Sequence, residues 1–254
     1  MVDLTGKTIL LTGASRGIGF ETAVQLGAAG AYVVAHYGSH LAGAQEATGA
    51  IADDHKLLLR ANFDEPGAAA ALWEQATAWR GVIDVLVCNA AVMPKSPLDA
   101  DDDGWDDAWA RALRINVLEP ATLMRAAVRH FVPRGQGTLI ALSSWAAQRG
   151  SSNPSLGAYS ASKAALAAFT KTVARAHAKD GVLAYLVAPG VVRTQMSVAA
   201  AQAQGGEAAV TASLAMGEWV PPSDVAELIT FLATGSCRHL TGATLDVNGA
   251  SYVR

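Results

Sequence analysis

The chain has 254 residues, of which 51% are hydrophobic and 16% are charged, and its formal net charge is −3 at pH 7. This length and apolar content fit one large α/β domain with a sizeable core and exclude an intrinsically disordered chain. Acidic and basic residues are interspersed, so no basic stripe indicates a nucleic-acid partner or an anionic membrane surface.

The start of the chain and its cysteines indicate a cytoplasmic protein. Asp3 precedes the first strand-like run, and no basic segment followed by an apolar one predicts a signal peptide. No apolar stretch reaches about 18 residues without a charge, glycine or proline, so we predict no transmembrane helix. Cys88 and Cys237 are too few for a disulfide framework, which suits a reducing compartment.

Short apolar runs alternate with alanine-rich helical stretches along the whole chain. The predicted strands are residues 8–12, 31–36, 56–60, 85–89, 137–142, 183–188 and 244–247. The predicted helices lie near residues 18–28, 41–53, 66–80, 105–131, 157–180 and 222–234. Such alternation is typical of right-handed βαβ units. We therefore predict an α/β, single-domain, doubly wound Rossmann fold over residues 1–254, with a seven-stranded parallel sheet and helices on both faces.

A glycine-rich segment, TGASRGIG at residues 12–19, follows the first predicted strand and opens the first helix. Gly13 permits a tight turn, Gly17 lets the backbone approach a pyrophosphate, and Gly19 allows the helix to pack closely. The N–H groups at the start of the helix attract phosphates. The segment therefore predicts a dinucleotide-binding loop.

A tyrosine and a lysine, Tyr159 and Lys163, are four residues apart in a predicted helix, and the serine pair Ser143-Ser144 precedes them. Residues four apart lie on the same face of a helix. A lysine cation favours the phenolate, so we expect the pKa of Tyr159 to fall below its ordinary value of about 10. Such a phenol can exchange a proton with an alcohol or ketone oxygen near neutral pH.

Residues 195–218 interrupt the alternation with small side chains and the pair Gly205-Gly206. They follow the carboxyl end of a predicted strand, where open α/β sheets bind ligands. Glycines permit a hinge, and small apolar side chains can close over a substrate. We predict a mobile substrate lid, with an ordinary surface excursion of two short helices as the alternative.

Taken together, these motifs resemble those of the short-chain dehydrogenase/reductase family over the whole length of the chain. The matching segments are TGASRGIG at 12–19, CNAA at 88–91, RINV at 114–117, Ser144, Tyr159 with Lys163, Pro189-Gly190 with Thr194, LTG at 240–242 and LDVNG at 245–249. The resemblance implies an NAD(P)-dependent enzyme that transfers a hydride between nicotinamide and a carbonyl or alcohol carbon.

By this resemblance, the catalytic residues are Asn116, Ser144, Tyr159 and Lys163. Tyr159 is expected to donate a proton in reduction and accept one in oxidation, while Lys163 lowers its pKa and holds the nicotinamide ribose. Ser144 is expected to hydrogen-bond the substrate oxygen. Ser143 competes for this role, but the family pattern favours the second serine. Asn116 is expected to shape a helix and to hold a water that passes protons between Lys163 and solvent.

The resemblance also places a set of residues around the cofactor. They are Gly13, Ser15, Arg16, Gly17, Ile18, Gly19, His36, Asn62, Asn89, Ala90, Tyr159, Lys163, Pro189, Gly190, Val192 and Thr194. The second predicted strand ends without a carboxylate that could bond the ribose 2′-hydroxyl of NAD, and Arg16 could neutralise a 2′-phosphate. We therefore predict NADP (NADPH) rather than NAD as the cofactor.

Two histidines and a run of aspartates could suggest ion binding, but we predict no metal site. His36 and His40 have metal-ligand spacing, yet the sequence places no third ligand nearby. Asp101, Asp102 and Asp103 precede a predicted helix, whose positive end favours carboxylates, so they indicate a solvated helix start.

Several positions depart from the family pattern. Asn62 stands where an aspartate often contacts the adenine, Cys88 and Ala91 alter the usual Asn-Asn-Ala-Gly, and Tyr185 replaces an asparagine. We expect these changes to affect cofactor fit or packing and to leave proton transfer intact. A small insertion near residues 150–154 lengthens the link before the catalytic tyrosine.

The predicted substrate is a neutral, fairly hydrophobic ketone or secondary alcohol. The side chains expected around its pocket are Met93, Trp145, Gln148, Met196, Met216 and Trp219. This mostly apolar set fits a cyclic or aromatic ketone best, and a sugar alcohol or a thioester-bound 3-ketoacyl group stays open.

Two other functions stay open. An NAD-dependent alcohol dehydrogenase working oxidatively would differ in its cofactor preference. A non-catalytic nucleotide-binding regulator would be expected to lose Ser144, Tyr159 or Lys163, and all three are present. Because the family usually forms homotetramers, we expect a homotetramer or homodimer with the Tyr159 helix and the C-terminal strand region at the interfaces.

Overall fold

Seven parallel strands form one sheet in the computed structural model. The structure describes residues 2–254, and of residue 203 it describes only the backbone. The strands are β1 (Thr8–Leu11), β2 (Tyr32–Tyr37), β3 (Lys56–Arg60), β4 (Val85–Cys88), β5 (Gly137–Leu142), β6 (Val182–Pro189) and β7 (Thr244–Val247). The spatial order β3-β2-β1-β4-β5-β6-β7 places β1 beside β4, so the winding reverses between these strands. The predicted doubly wound α/β fold is confirmed, and such sheets bind ligands where the winding reverses.

The helices lie on both faces of this sheet. They are α1 (Gly17–Ala28), α2 (Leu41–Ala47), α3 (Ala68–Arg80), α4 (Asp102–Leu113), α5 (Glu119–Phe131), α6 (Ala146–Arg149), α7 (Gly157–His177), α8 (Gln195–Ala201), α9 (Gly206–Ala212) and α10 (Pro222–Ala233). The helix predicted at 41–53 ends earlier because the backbone turns at Gly49, whose N–H donates to the Glu46 carbonyl oxygen. Within residues 2–254, none of the helices is both long and apolar enough to cross a membrane.

The helical stretch predicted near residues 105–131 is confirmed, and it contains a π-helical turn that the sequence does not predict. This turn, at Arg114–Leu118, lies between α4 and α5 without interrupting the helix. Such a turn takes one residue more than an α-helical turn and is frequent at functional sites. Here it contains Asn116, whose side chain bonds to the backbone of Val92. Apolar periodicity in the sequence cannot show such a tertiary bond.

Apolar side chains fill both faces of the sheet. Leu10 and Leu86 belong to the cluster that packs against α3, α5 and α7, while Ile9, Leu11 and Val87 belong to the cluster that packs against α1 and α10. The central strands are buried on both sides, which explains their continuous apolar runs.

Two positions that depart from the family pattern lie in these cores. Tyr185 is fully buried in β6, and its hydroxyl donates to the carbonyl oxygen of Cys237 at 3.1 Å. Cys88 is buried at the end of β4; burial raises the pKa of its thiol to about 12, and the charge of Lys163 opposes this rise. Both residues therefore act through packing, and Cys88 is a neutral thiol.

A buried carboxylate connects the π turn to the start of α3. The side chain of Glu119 is 4% exposed, and Arg114 lies 3.5 Å from its Oε1. The backbone N–H of Ala69 donates to its Oε2 at 2.9 Å. A carboxylate is favourable there because a helix N-terminus has free N–H groups and a partial positive charge.

We expect Glu119→Ala to lower the free energy of unfolding by about 2 kcal/mol, because the buried N–H of Ala69 loses its acceptor. Glu119→Gln keeps an acceptor oxygen in the same shape, so its loss should be smaller. Urea unfolding followed by circular dichroism measures both variants. Equal losses would contradict the hydrogen bond as the main contribution of Glu119.

Candidate active site

One cleft of about 830 Å³ runs along the carboxyl ends of the strands. It gathers nearly all residues predicted for catalysis and cofactor binding. Gly19 and Asn116 are the exceptions, since both are buried and do not line it. The predicted residues that line it are Gly13, Ser15, Arg16, Gly17, Ile18, His36, Asn62, Asn89, Ala90, Ser144, Tyr159, Lys163, Pro189, Gly190, Val192 and Thr194.

The glycine loop after β1 has no room for side chains at its turns. Gly13 and Gly17 have φ values of 72° and 53°, which only glycine adopts freely. A Cβ at Gly13 would lie 2.9 Å from Cα of Ala90, and one at Gly17 would lie 2.9 Å from Cγ2 of Thr194. Because α1 begins at Gly17, its free N–H groups lie at the cleft and can bind phosphate oxygens.

The end of β4 is bonded to this loop. The Asn89 side chain donates from Nδ2 to the carbonyl oxygens of Thr12 at 2.9 Å and Gly13 at 3.0 Å. The backbone N–H groups of Asn89 and Ala90 donate to the Thr12 hydroxyl oxygen at 2.9 and 3.0 Å. Thr12 is thus a site residue in its own right, and its place before Gly13 in the motif is the signal for it.

His36 holds the loop from the other side. Its Nδ1 accepts a hydrogen bond from the N–H of Gly13 at 3.1 Å, and its Nε2 lies 2.9 Å from the carbonyl oxygen of Ala61. Its ring stacks on Phe63 with centroids 4.5 Å apart. Burial lowers the pKa of His36 to about 4, against the opposing bond to Ala61. The ring is therefore neutral, with the hydrogen on Nε2.

The other groups that suggest ion binding have ordinary structural roles. His40 lies with its Nδ1 3.4 Å from the carbonyl oxygen of Ser15. Asp101 caps α4 by accepting the N–H of Gly104 at 2.8 Å, so the predicted helix start is confirmed. Across residues 2–254, no three His, Cys, Asp or Glu side chains come together as metal ligands.

Ser144, Tyr159 and Lys163 meet in the part of the cleft beyond β5. Ser144 follows this strand, and its Oγ accepts the N–H of Ala146 at 3.1 Å. Tyr159 lies half-buried in the first turn of α7, and Lys163 lies buried one turn later. The Lys163 Nζ donates to the carbonyl oxygen of Leu142 at 2.7 Å and lies 5.9 Å from the centre of the Tyr159 ring. The carbonyl bond fixes the ammonium group beside the phenol.

The prediction that the pKa of Tyr159 lies below its ordinary value is wrong for the protein without a bound ligand. Burial raises the pKa of Tyr159, and the hydroxyl of Ser144 beside the phenol opposes this rise. Burial also lowers the pKa of Lys163 to about 8, with a smaller opposing effect from Cys88. For both groups the largest cause is removal from water, which disfavours the charged form of each.

The two serines of the pair have different partners. The Ser143 Oγ donates to the backbone carbonyl oxygen of Lys163 at 3.4 Å, which directs it towards α7. Ser144 stands beside the Tyr159 hydroxyl and affects its pKa. This arrangement favours Ser144 as the residue that faces a reacting oxygen.

Asn116 positions the catalytic helix. Its Nδ2 donates to the carbonyl oxygen of Val92 and to Oγ of Ser162, both at 2.9 Å, and its Oδ1 accepts the Val92 N–H. The Ser162 hydroxyl in turn donates to the carbonyl oxygen of Tyr159 at 2.7 Å. Both amide hydrogens of Asn116 are therefore bound to protein acceptors. The water that Asn116 is expected to hold would therefore have to bind a group of Asn116 other than its side-chain NH2.

The cleft lining also includes residues that the sequence motifs do not reveal, among them Arg60, Phe63, Asp64 and Arg111. Arg111 binds Asp64 with two contacts, at 2.9 and 3.2 Å, and so links α4 to the loop after β3. Arg60 ends a strand that the sequence predicts correctly. Only the observed strand order, however, shows that this strand adjoins β2.

The segment at residues 195–218 has its own small core. This core consists of Ala201, Val210, Leu214 and Trp219, with Trp145, Val191 and Val198 packed against it. The Trp219 Nε1 donates to the hydroxyl of Thr211 at 2.8 Å, so this tryptophan is a packing residue and not part of the cleft lining. Of the side chains expected around the substrate, Met196 lines the cleft.

Comparisons with known proteins match nearly the whole chain. A family model described as enoyl-(acyl carrier protein) reductase matches residues 13–250. The chain is 33% identical over 256 residues to 3beta-hydroxysteroid dehydrogenase 1 of Eggerthella lenta, covering 97% of this chain and 94% of the relative. It is 35% identical over 246 residues to cis-4-hydroxycyclohexanecarboxylate dehydrogenase of Sinomonas cyclohexanicum, covering 96% and 95%.

A solved structure is similar to this fold over nearly the whole chain. A short-chain dehydrogenase from Burkholderia cenocepacia J2315 in complex with NADP superposes with a TM-score of 0.85 and 29% sequence identity. The match covers 98% of each chain. The likeness therefore includes the sheet, the glycine loop and the helices around the cleft.

We expect stability to fall as the pH drops below about 6.5, because His36 has a pKa of about 4 when folded and 6.5 when unfolded. The unfolded chain then binds the proton first, which removes about 2 kcal/mol from the free energy of unfolding between pH 7.5 and pH 5. Urea unfolding at both pH values measures the loss. His36→Asn can keep both hydrogen bonds without titrating, so it should lose less. Equal losses in the two proteins would exclude His36 as the cause.

Proposed function

Since the chain belongs to the short-chain dehydrogenase/reductase family and is an NAD(P)-dependent oxidoreductase, we propose that it transfers a hydride between NADP(H) and a neutral, fairly hydrophobic ketone or secondary alcohol. Three side chains in one cleft carry this proposal: Ser144, Tyr159 and Lys163. They lie at the opposite end of the cleft from Arg16 and the loop after β2, so a long ligand can reach both ends.

The residues of the glycine loop fit a dinucleotide. A Cβ at Gly13 or Gly17 would fill the space between the loop and its neighbours Ala90 and Thr194. The free N–H groups at the start of α1 suit a pyrophosphate. Gly190, Val192 and Thr194 would complete the binding site on the β6 side.

The ends of the strands support NADP(H) over NAD(H). β2 ends at Tyr37 and is followed by Gly38 and Ser39, so no carboxylate stands where the ribose 2′-hydroxyl of NAD would be bonded. Arg16 is exposed in the glycine loop and lines the cleft, where it can neutralise a 2′-phosphate. The NADP bound to the Burkholderia cenocepacia relative agrees with this preference.

Ser144, Tyr159 and Lys163 each have a different role in the reaction at the substrate oxygen. The bound nicotinamide supplies or accepts the hydride. The Ser144 hydroxyl donates a hydrogen bond to the substrate oxygen and stabilises the negative charge that develops there during reduction. The Tyr159 hydroxyl gives its proton to that oxygen, and the Lys163 ammonium stabilises the phenolate that remains. In oxidation the proton returns to Tyr159.

The substrate end favours a cyclic molecule. Met196 lines the cleft and is 39% exposed, so a flexible apolar side chain is available to cover a ring. The names of the two curated relatives both describe a hydroxyl group on a saturated ring. Residues 195–218 form the lid over this end. Gly205 and Gly206, with φ of 87° and 88°, are its hinge.

The proposed form of the protein is a cytoplasmic homotetramer or homodimer. Leu113 is 38% exposed and Leu118 is 50% exposed, and both lie where α4 and the π turn pack beside α7. Apolar side chains at these positions suit contact with a second subunit along α7. The C-terminal strand region would supply the other interface.

Tyr159→Phe should lower kcat for ketone reduction by about a thousandfold, because the ring stays and only the proton donor is lost. The affinity for NADPH should stay within about twofold, since Lys163 and the glycine loop are unchanged. Steady-state kinetics with a cyclic ketone and a fluorescence titration measure the two effects. Tyr32→Phe, at the amino end of β2 and outside the cleft lining, is the matched control. An active Tyr159→Phe protein would exclude the proposed proton donor.

Titration of the purified protein with NADPH and with NADH, followed by tryptophan fluorescence, tests the cofactor. We expect NADPH to bind at least about tenfold more tightly, because a charge-assisted bond to the 2′-phosphate is gained. Tighter binding of NADH would overturn the NADP(H) preference and favour an alcohol dehydrogenase that works oxidatively with NAD.

A further inference from the structure

We propose that Arg60, at the carboxyl end of β3, is a second cation for the 2′-phosphate and acts with Arg16 to select NADP(H). This inference rests on the proposed use of NADP(H) and assigns to Arg60 a share of the selectivity. The usual place to look for such a residue is the end of β2, which here carries neither an arginine nor a carboxylate.

The register of the sheet brings Arg60 to the end of β2. β2 and β3 are parallel, and their last paired residues are Tyr37 and Arg60. The Arg60 side chain extends across to the next strand, where its Nε donates to the carbonyl oxygen of Gly38 at 3.3 Å. This bond places the Arg60 guanidinium beside the loop that follows β2.

The space beside this guanidinium is open and polar. A Cβ built at Gly38 would have no atom within 4 Å, so there is open space on the side-chain side of Gly38. Ser39 and His40 follow in the same loop, and both are exposed and line the cleft. The Ser39 hydroxyl adds a neutral hydrogen-bond donor for a phosphate oxygen.

Arg16 approaches the same space from the glycine loop. It is the residue just before α1, it is exposed, and it lines the cleft together with Gly38 and Arg60. The side chain of Arg16 does not cap the helix. The two arginines therefore lie after neighbouring regions of the sheet, one in the glycine loop after β1 and one at the end of β3, and both line the same cleft.

The charges of these two arginines are not balanced by the protein. Among residues 2–254, neither Arg16 nor Arg60 forms an ion pair with a carboxylate. Arg111, which lines the same cleft, differs because Asp64 binds its guanidinium. Two unpaired arginines at one place attract a doubly charged phosphate, and a 2′-hydroxyl offers them no charge to bind.

Binding of small probes isolates this contact from catalysis. Adenosine 2′,5′-bisphosphate carries the 2′-phosphate, and adenosine 5′-monophosphate lacks it. We expect Arg60→Ala to weaken binding of the bisphosphate and of NADPH about tenfold, because one charge-assisted contact is lost. Binding of the monophosphate and of NADH should not change. Isothermal titration calorimetry measures the probes, and tryptophan fluorescence measures the dinucleotides.

Two further variants serve as comparisons. Arg129→Ala removes the same charge from an exposed position on α5, outside the cleft, and should change none of the four affinities. Arg60→Lys keeps the charge and loses the two terminal nitrogens, so it should recover only part of the binding. Unchanged binding of NADH by Arg60→Ala also shows that this variant is folded.

The outcomes separate this inference from the proposal on which it rests. If the unaltered protein binds NADH as tightly as NADPH, the NADP(H) preference itself is overturned, and this inference fails with it. If NADPH is preferred and Arg60→Ala keeps that preference while Arg16→Ala abolishes it, only the role of Arg60 is overturned. Equal weakening of NADPH and NADH by Arg60→Ala would show that the arginine merely supports the loop at Gly38, and it would also overturn the inference.

Discussion

Hydrogen bonds to one short loop hold together the strand ends on which the whole cleft depends. His36 of β2 accepts the N–H of Gly13, and Asn89 at the end of β4 donates to the carbonyl oxygens of Thr12 and Gly13. Because β1 lies between β2 and β4, these bonds cross the sheet where its winding reverses. They hold the loop in one backbone conformation, and α1 then starts in a fixed direction.

Hydrogen bonds to backbone groups also position the side chains at the other end of the cleft, around Tyr159 and Lys163. The carbonyl oxygen of Leu142 binds the Lys163 ammonium, and Asn116 reaches the backbone of Tyr159 through Ser162. Burial raises the pKa of Tyr159 and lowers the pKa of Lys163 to about 8. Both shifts favour the neutral forms, so the protein alone does not produce a phenolate. Negative charge that forms on a substrate oxygen would therefore find donors already in place, which is how preorganised sites stabilise transition states.

The sequence was sufficient for features that depend on local pattern. Apolar runs and glycine turns predicted the seven strands, and the four-residue spacing placed Tyr159 and Lys163 on one face of α7. Features that depend on distant contacts were missed. The π turn contains Asn116, whose side chain bonds to the distant Val92, and the pKa of Tyr159 reflects burial by surrounding elements. Arg60 lines the cleft because β3 pairs with β2, and a short sequence motif does not reveal which strands are neighbours in the sheet.

The small core beneath residues 195–218 has a consequence for how such a protein changes over generations. Trp219, Val210, Leu214 and Ala201 form one cluster, and Trp145, Val191 and Val198 pack against it. Substitutions among these contacting side chains can compensate each other, because residues in contact couple while distant sites contribute to stability independently. Selection can in this way alter the packing beneath the segment that carries Met196, a cleft-lining residue, while the core of the central sheet stays the same.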